Sequence, residues 1–347
     1  MQSIPTDLII EILSRLPEKS VARFSCVSKL WTSITSDPSF PRPRLLLCFQ
    51  KHDDLFVSSI PQHTQKNSNC SSYSSSLSFY HHHHKTKLPV NFLHCTCTES
   101  VHGLICFELK KPIVWNPSTR SFIRLPAIPE PCKDWKKSTL LLGYDPVEGK
   151  HKVVCVPYKR NCYVCRVFTL GSSKESWRTV RANRQHRPAS DAHGRCIEGV
   201  IYYIANYGKV VMSFDVRSEK FDMIKLPTRY CQDLITYKGR LACFDHWDRR
   251  RFWILEDAQK HIWLGQDFLS SLVDRSFKLT GFTHAGEFIY VPERDRQLFY
   301  ILLCDPVRNS WRRLEFKIST VHNEEEQEPG TYALHAFPNH IDSQMSL

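Results

Sequence analysis

The stretch IPTDLIIEILSRLPEKSVARFSCVSKLW, from Ile4 to Trp31, decides how the beginning of this chain folds. Thr6 can cap a helix at its start. Pro17 should end that helix, because proline has no N–H and forces the residue before it away from helical geometry. Between them, the apolar residues are spaced as on one broad helical face, and they are Leu8, Ile9, Ile12, Leu13 and Leu16.

Two further short helices are predicted, one over residues 20–27 and one over residues 28–36. In both, apolar side chains recur in helical register, and they are Val21, Phe24 and Val27, then Leu30, Trp31 and Ile34. Three such helices cannot enclose a core large enough to stand alone. Part of their apolar surface should therefore meet the rest of the chain or a partner.

The stretch resembles the F-box, the adaptor-docking module of SCF-type ubiquitin ligases. The resemblance runs from Ile4 to Trp31 without a gap and includes the Leu16-Pro17 step, the Arg-Phe-x-Cys-Val core and the final Lys-Leu-Trp. Ser25 departs from it, since plant-type F-boxes more often carry a basic residue there. The family implies a three-helix F-box over residues 1–40 that docks a Skp-type adaptor through apolar contacts.

On that resemblance, the expected adaptor-binding residues are Pro5, Leu8, Ile12, Leu13, Leu16, Pro17, Val21, Val27 and Trp31. An alternative stays open for some of them, above all for Trp31. Their side chains could hold the three helices together without touching the adaptor.

Composition favours a folded intracellular protein with one small and one large domain in its 347 residues. The 14 cysteines are scattered, and Asp7, Glu11 and Arg15 interrupt any signal peptide. No apolar run approaches the roughly 18 residues of a membrane span. We therefore expect a soluble protein of the nucleus or cytoplasm. The net charge of +12 fits a solvated basic surface, an acidic partner or, less well, nucleic acid.

Residues 41–347 are predicted to be all-β. Arg44 to Phe49 and Leu55 to Ile60 have the composition of strands. Residues 62–84 are rich in serine and histidine, and we expect a disordered insertion there. Its four consecutive histidines are a poor metal site, since neighbouring imidazoles on a regular backbone do not point at one ion.

From Glu99 onward, the chain repeats a unit made of glycine, a short apolar strand, an Asp or Asn turn and a strand led by an aromatic residue. The anchoring aromatics recur roughly every 40 to 55 residues, as in propeller blades, and they are Phe122, Trp177, Phe221, Trp263 and Trp311. Turns at Asn116-Pro117, Asp145-Pro146 and Asp305-Pro306 suit type I geometry. We predict five or six blades.

The segments GLICF, IVWNPSTRSFIRLP, LLGYDPVEGKHKVV and VFTLGSSKESWRTV resemble the F-box-associated domain of plant proteins. The resemblance extends from Arg44 to the end of the chain and is best between Glu99 and Val180. It implies a kelch-like, substrate-binding propeller. The whole chain is thus α+β by segments, with a three-helix F-box followed by an all-β, propeller-like domain.

The sequence lacks the minimum elements of phosphate-binding loops, zincins and nucleophile elbows. Cys162 and Cys165 form one CxxC, but no helix is predicted after it to activate a thiol. No RING-like Cys/His spacing occurs. We therefore expect a non-catalytic chain with no cofactor and no metal.

Target binding is expected on the loops between strands, which can vary without disturbing the packing of the sheets. The distinctive loops are Glu130 to Ser138, Arg181 to Arg195, Asp245 to Arg251 and Glu293 to Arg296. Their candidate contact residues are Trp135, Arg181, Arg184, Arg187, Trp247, Arg249, Arg250 and Arg251. Most of these are cationic, so the predicted target surface is acidic or phosphorylated.

Together these features indicate the substrate-recognition subunit of an SCF-type ubiquitin ligase, which reaches cullin and RING subunits through the adaptor. A stand-alone kelch-like scaffold is the first alternative. A nucleic-acid-binding regulator is the second, and it rests only on the charge.

Overall fold

The structure of this chain is a computed structural model, and it divides into two compact units, Met1–His83 with Arg275–Met345, and His84–Asp274 with Ser346–Leu347. It describes residues 4–14, 23–24, 26–36, 43–51, 54–61, 72–81, 88–92, 95–130, 133, 138–158, 163–183, 185–189, 193–206, 208–229, 231–245, 251–267, 276–283, 286–292, 300–318, 332–343 and 345–347.

Two helices are found in the described part of the first unit, α1 (Thr6–Ser14) and α2 (Lys29–Ser36). The Ile9 N–H bonds to the carbonyl of Pro5, so Pro5 and not Thr6 holds the cap position of α1. Ser28 caps α2, because its Oγ accepts the N–H of Leu30 at 3.2 Å. Neither helix is long and apolar enough to cross a membrane.

The middle of the three predicted helices falls mostly outside the described residues. Arg23 and Phe24 have helical backbone, and Cys26 and Val27 form a turn. The three-helix arrangement therefore stays a prediction.

In the described residues, 23 strands account for most of the remaining fold. Those of the first unit are β1 (Arg44–Lys51), β2 (Asp54–Pro61), β3 (Ser72–His81), β19 (Phe277–Phe282), β20 (Phe288–Pro292), β21 (Tyr300–Asp305), β22 (Ser310–Ile318) and β23 (Tyr332–His340). Those of the second are β4 (Ile105–Phe107), β5 (Ile113–Asn116), β6 (Ser121–Arg124), β7 (Ser138–Asp145), β8 (Lys150–Pro157), β9 (Val164–Thr169), β10 (Arg178–Arg181), β11 (Arg195–Ile197), β12 (Val200–Ala205), β13 (Val210–Asp215), β14 (Phe221–Lys225), β15 (Cys231–Tyr237), β16 (Arg240–Asp245), β17 (Arg251–Asp257) and β18 (Ile262–Asp267).

The first unit holds one eight-stranded sheet in the order β19-β20-β21-β22-β3-β2-β1-β23. The last strand, β23, pairs with β1 in antiparallel register from Lys51↔Tyr332 to Arg44↔His340. Strands from the two ends of the propeller region therefore share one sheet. The strand order makes two four-stranded halves, joined by the parallel pair β22 and β3.

Strand β3 corrects the prediction of a disordered insertion over residues 62–84. Ser72 to Phe79 pair with Trp311 to Ile318, and two residues at the other end of β3 pair with β2. The polar composition of this segment predicted disorder. Its backbone groups are nevertheless satisfied by pairing with a distant strand, and such pairing does not depend on the side chains. Residues 62–71 and 82–84 lie outside the described residues.

The second unit holds four sheets, each built from strands that are consecutive in the chain. Three are four-stranded, β7 to β10, β11 to β14 and β15 to β18. The sheet β4 to β6 has three strands, and the bridges Cys97↔Phe107 and Val101↔Leu104 add a segment beside β4. With the two halves of the eight-stranded sheet, the described residues contain six blade-sized sheets.

The five Asp or Asn turns share one construction. The side-chain oxygen Oδ1 accepts a backbone N–H two or three residues later, at Asn116, Asp145, Asp215, Asp257 and Asp305. The residue four positions after each has a positive φ, between 50° and 66°, and these are Arg120, Gly149, Glu219, His261 and Asn309. Turns are therefore found at the three predicted positions, Asn116, Asp145 and Asp305, and Asp215 and Asp257 have the same construction.

Two of the periodic tryptophans connect neighbouring sheets of the second unit. The indole N–H of Trp177 donates to the carbonyl of Pro126 just after β6, at 2.8 Å. Trp263 on β18 donates in the same way to the carbonyl of Lys225 at the end of β14, also at 2.8 Å. At Trp177 and Trp263, the periodic aromatic residue therefore connects its sheet to the preceding sheet by a hydrogen bond.

The sheets of the second unit also approach closely. A Cβ added to Gly143 on β7 would lie 2.6 Å from the side chain of Val216 and 2.7 Å from that of Ile201, so these side chains would have to shift to accept it. Both side chains belong to a buried cluster that spans β7 to β14. Gly143 is thus required by packing.

Candidate functional site

An apolar face is exposed on the two helices. Five large side chains make it up, and their exposed fractions are 54% for Ile4, 50% for Leu8, 50% for Ile12, 69% for Val27 and 46% for Leu30. Leu8 and Ile12 are four residues apart, so they lie on one side of α1, and Ile4 precedes that helix. Val27 precedes the cap residue Ser28, and Leu30 lies in the first turn of α2. We call these five residues the apolar face.

The other side of the same helices is already used for packing. Ile9 and Leu13 of α1 are buried against Ile34 of α2. Phe24 and Trp31 cover this small core, with ring centroids 5.1 Å apart. Because two short helices bury only one face of each other, the apolar face has no place in their core.

The structure sorts the predicted adaptor-binding residues into three groups. Pro5, Leu8, Ile12 and Val27 are exposed, and Trp31 is half-buried on Phe24. Leu13 is fully buried, which corrects its assignment to the contact surface. It lies one turn after Ile9 and points with it into the core. Leu16, Pro17 and Val21 lie outside the described residues.

Sequence reasoning missed Ile4 and Leu30. Ile4 lies before the cap residue Pro5, so the helical spacing that found Leu8 and Ile12 does not extend to it. Leu30 was placed in helical register with Trp31 and Ile34, but adjacent positions on a helix point in different directions.

Of the predicted target-binding residues, Trp135, Arg184, Trp247, Arg249 and Arg250 lie outside the described residues.

The three described arginines of that set differ from one another. Arg181 is exposed at the end of β10. Arg187 is half-buried, and its backbone N–H donates to Oδ1 of Asn206 at 3.0 Å. Arg251 begins β17 and forms an ion pair with Asp267 at 2.8 Å. Arg251 is thus a strand residue with a carboxylate directly opposite it, and its side chain is 47% exposed.

Two further arginines of the basic stretch 178–195 have internal partners. Arg178 pairs with Glu219, which also accepts a bond from the buried Lys152. Arg195 donates to Glu99 at 3.3 Å and to the carbonyl of Leu234 at 2.8 Å. Much of the positive charge in this stretch therefore stabilises the fold.

The four predicted target-binding loops do share one property. Each leaves its own sheet at the end opposite the Asp or Asn turns, since each follows a strand that runs away from those turns. Three of the loops belong to the second unit. They join β6 to β7, β10 to β11 and β16 to β17.

A buried histidine lies at the turn side of the second unit. His151 is 3% exposed, and its Nε2 is 3.0 Å from the carbonyl of Val101. Its ring is 4.8 Å from that of Tyr144, which stacks on His102 at 3.8 Å. Burial lowers the pKa of His151 from 6.5 to about 4. The fold therefore holds this imidazole neutral.

We expect His151 to make the protein less stable in mild acid. Below pH 6.5 the unfolded chain binds a proton that the folded chain refuses until about pH 4. The free energy of unfolding should fall through this window, by about 1.4 kcal/mol per pH unit at most. Urea titrations at pH 7 and pH 5 would compare the native protein with His151→Gln.

The comparison with His151→Gln is necessary because two other buried groups also change the stability in acid. Burial raises the pKa values of Glu99 and Glu108, and groups with raised pKa values stabilise the folded chain as the pH falls. The variant should lose less stability than the native protein between the two pH values. Equal losses would contradict this role of His151.

Two family models match consecutive parts of the chain. A family model described as F-box domain matches residues 1–43, and one described as F-box associated beta propeller domain matches residues 44–341. Relatives with F-box protein names occur in Arabidopsis thaliana. At1g47790 is 49% identical over 99% of this chain and 94% of its own length. At1g47765 is 47% identical over 99% and 94%, and At1g48060 is 36% identical over 99% and 93%.

Proposed function

This chain belongs to the F-box proteins that carry an F-box associated β-propeller domain. On that premise, we propose that it is the substrate-recognition subunit of an SCF-type ubiquitin ligase in the nucleus or cytoplasm. Its F-box binds a Skp-type adaptor, and its propeller binds the protein to be modified. Ubiquitin transfer belongs to other subunits, so this chain acts by raising the local concentration of the target.

The observation that carries this proposal is the apolar face. Apolar side chains that stay half-exposed on a packed pair of helices mark an interaction site, because water contact costs roughly 25 cal/mol per Å² of apolar surface. Three of the predicted adaptor contacts, Leu8, Ile12 and Val27, are part of this face. Ile4 and Leu30 extend it.

The test is co-purification of the full-length chain with a Skp-type adaptor. The proposal requires a stable complex. A stand-alone scaffold would not co-purify with the adaptor. A nucleic-acid-binding regulator would instead retard DNA or RNA in a salt-dependent way. The internal pairing of Arg178 and Arg195 supports the first reading over the last, since paired cations contribute little to phosphate binding.

We further propose that the target binds the loops of the second unit that lie opposite the Asp or Asn turns and presents an acidic or phosphorylated surface. Proximity labelling with the full-length chain gives the set of proteins that it approaches. That set should lose members when the charges are reversed at Arg249, Arg250 and Arg251 together, or at Arg181, Arg184 and Arg187 together. Adaptor binding should persist in both variants.

A charge-matched control is available on the turn side of the same sheets. Arg120, Arg217 and Lys220 are all exposed there, and reversing them should leave the labelled set unchanged. An unchanged set in both loop variants would overturn the proposal for the target surface.

A further inference from the structure

Two arginines lie close together on one face of the sheet β7-β8-β9-β10. Arg166 on β9 pairs with Thr179 on β10, and Val164 pairs with Arg181, the last residue of β10. Residues directly opposite each other in an antiparallel pair share a face, as do residues two apart on one strand. Arg166, Thr179 and Arg181 are therefore neighbours on one face, and the two arginines form a diagonal pair about 7–8 Å apart.

This face is turned toward the sheet β4-β5-β6. Phe168 lies two residues after Arg166 on β9, so it shares the face. Its ring centroid is 5.4 Å from that of Trp177, which directly precedes β10. The indole of Trp177 donates to the carbonyl of Pro126 just after β6. Aromatic packing thus joins the two sheets on this face, and the arginines lie beyond it, nearer the loop that begins at Arg181.

Other arginines of this unit are given a carboxylate by the fold. Arg178 begins β10 on the opposite face of the sheet, and it binds Glu219. Arg195 is half-buried, as Arg166 is, and it pairs with Glu99. These pairs offset the cost of taking a guanidinium group partly out of water.

Arg166 has no carboxylate partner in the part of the chain that the structure describes. Its Nη1 donates to the hydroxyl of Thr179. Its Nε is buried, with no hydrogen-bond partner among the described residues. A buried donor on a charged group is costly to leave without an acceptor. We therefore expect an anion to contact this guanidinium group.

Arg181 strengthens this expectation. It is exposed at the loop end of β10, and its side chain forms no ion pair within the described residues. Like charges that face each other across neighbouring strands are destabilising. An anion in contact with both Arg166 and Arg181 would compensate both charges.

We propose that Arg166 and Arg181 bind the phosphate group of a phosphorylated side chain on the target. This inference rests on the proposed function, and it adds Arg166 and Thr179 to the target surface. The Thr179 hydroxyl accepts a hydrogen bond from Arg166, so its own proton can be donated to the ligand. The site thus offers two guanidinium groups and a hydroxyl to one anion.

A phosphate monoester fits this site better than other anions do. At neutral pH it carries roughly two negative charges and three acceptor oxygens. A carboxylate carries a single charge, and one arginine can already occupy both of its oxygens. The phosphodiester of a nucleic acid also carries a single charge per phosphate. Two adjacent arginines therefore favour the monoester.

Phosphorus NMR of O-phospho-L-serine, titrated with the full-length chain, tests the proposal, because even weak binding broadens the phosphorus line. The native chain should broaden it in a saturable way. Arg166→Gln and Arg181→Gln should each raise the dissociation constant at least about tenfold, since each removes hydrogen bonds between charged groups. Arg217→Gln is the matched control, because Arg217 is also exposed but lies in the turn between β13 and β14. It should bind like the native chain.

Three further probes separate the phosphorylated side chain from related anions. Dimethyl phosphate should not be broadened, and acetate at the same concentration should not displace phosphoserine. Equal broadening of dimethyl phosphate would point to nucleic acid, and equal displacement by acetate would point to an acidic peptide. Binding of inorganic phosphate without binding of phosphoserine would indicate a site for the free ion. Each of these three results would overturn the proposal.

The variants give the remaining outcomes. No broadening by the native chain, normal broadening by Arg181→Gln, or an equal loss in Arg217→Gln would also overturn the proposal. Arg181 is exposed at a strand end, so Arg181→Gln tests the site even if Arg166→Gln lowers the stability of the fold. None of these measurements involves the adaptor, so their failure is distinguishable from a failure of adaptor binding.

Discussion

Changing Leu8 to aspartate, or Ile12 to lysine, should abolish co-purification with a Skp-type adaptor. Each side chain is half-exposed on the apolar face, so each substitution places a charge where an apolar contact is needed. Interface residues of this kind cost 2 kcal/mol or more when lost, which weakens binding at least roughly 30-fold.

Both substitutions are chosen to leave the helix intact. Leu8 is in the first turn of α1, where a negative charge interacts favourably with the helix dipole. Ile12 is near the end of the helix, where a positive charge interacts favourably with it. Val307 provides the control, because it is 82% exposed in the turn between β21 and β22. Val307→Asp and Val307→Lys should bind the adaptor normally. Normal binding by Leu8→Asp and Ile12→Lys would show that the apolar face is not the docking site.

The largest loss of stability is expected for Glu219→Gln. Lys152 is 5% exposed, and its ammonium group donates to Glu219 at 2.9 Å and to the carbonyl of Val216 at 2.6 Å. Arg178 binds the same carboxylate. Without it, the buried ammonium group of Lys152 loses its hydrogen-bonded counter-charge, which costs about 3–5 kcal/mol of unfolding free energy.

Two comparisons in urea denaturation isolate this effect. Glu256→Gln breaks an exposed pair with Arg240 and should cost about 1 kcal/mol or less. Lys152→Met combined with Glu219→Gln removes the buried charge as well, so the double variant should be more stable than Glu219→Gln alone. If Glu219→Gln and Glu256→Gln cost the same, Lys152 does not depend on Glu219.

Local patterns in the sequence predicted local structure well. The spacing of Leu8 and Ile12 identified α1, and the Asn or Asp before proline identified the turns. Both features depend on residues within one helical turn or one hairpin of each other. The period of the tryptophans likewise indicated repeated sheets, although their hydrogen bonds could not be read from it.

Features that depend on distant residues were beyond sequence reasoning. Arg251 was predicted to bind a target, but strand pairing gives it Asp267 as a partner. Arg195 finds Glu99, which is almost 100 residues away in the chain. Strand β3 was predicted to be disordered because its own composition is polar, whereas β22 supplies its backbone partners. In each case the partner is fixed by the fold and not by neighbouring sequence.

The central claim is that the apolar face binds the adaptor, and amide hydrogen exchange of the full-length chain tests it most directly. With saturating Skp-type adaptor, exchange should slow in residues 4–12 and 27–34 and stay unchanged in the sheets. Unchanged exchange in the two helices on adaptor binding, or protection confined to the loops between strands, would contradict the account.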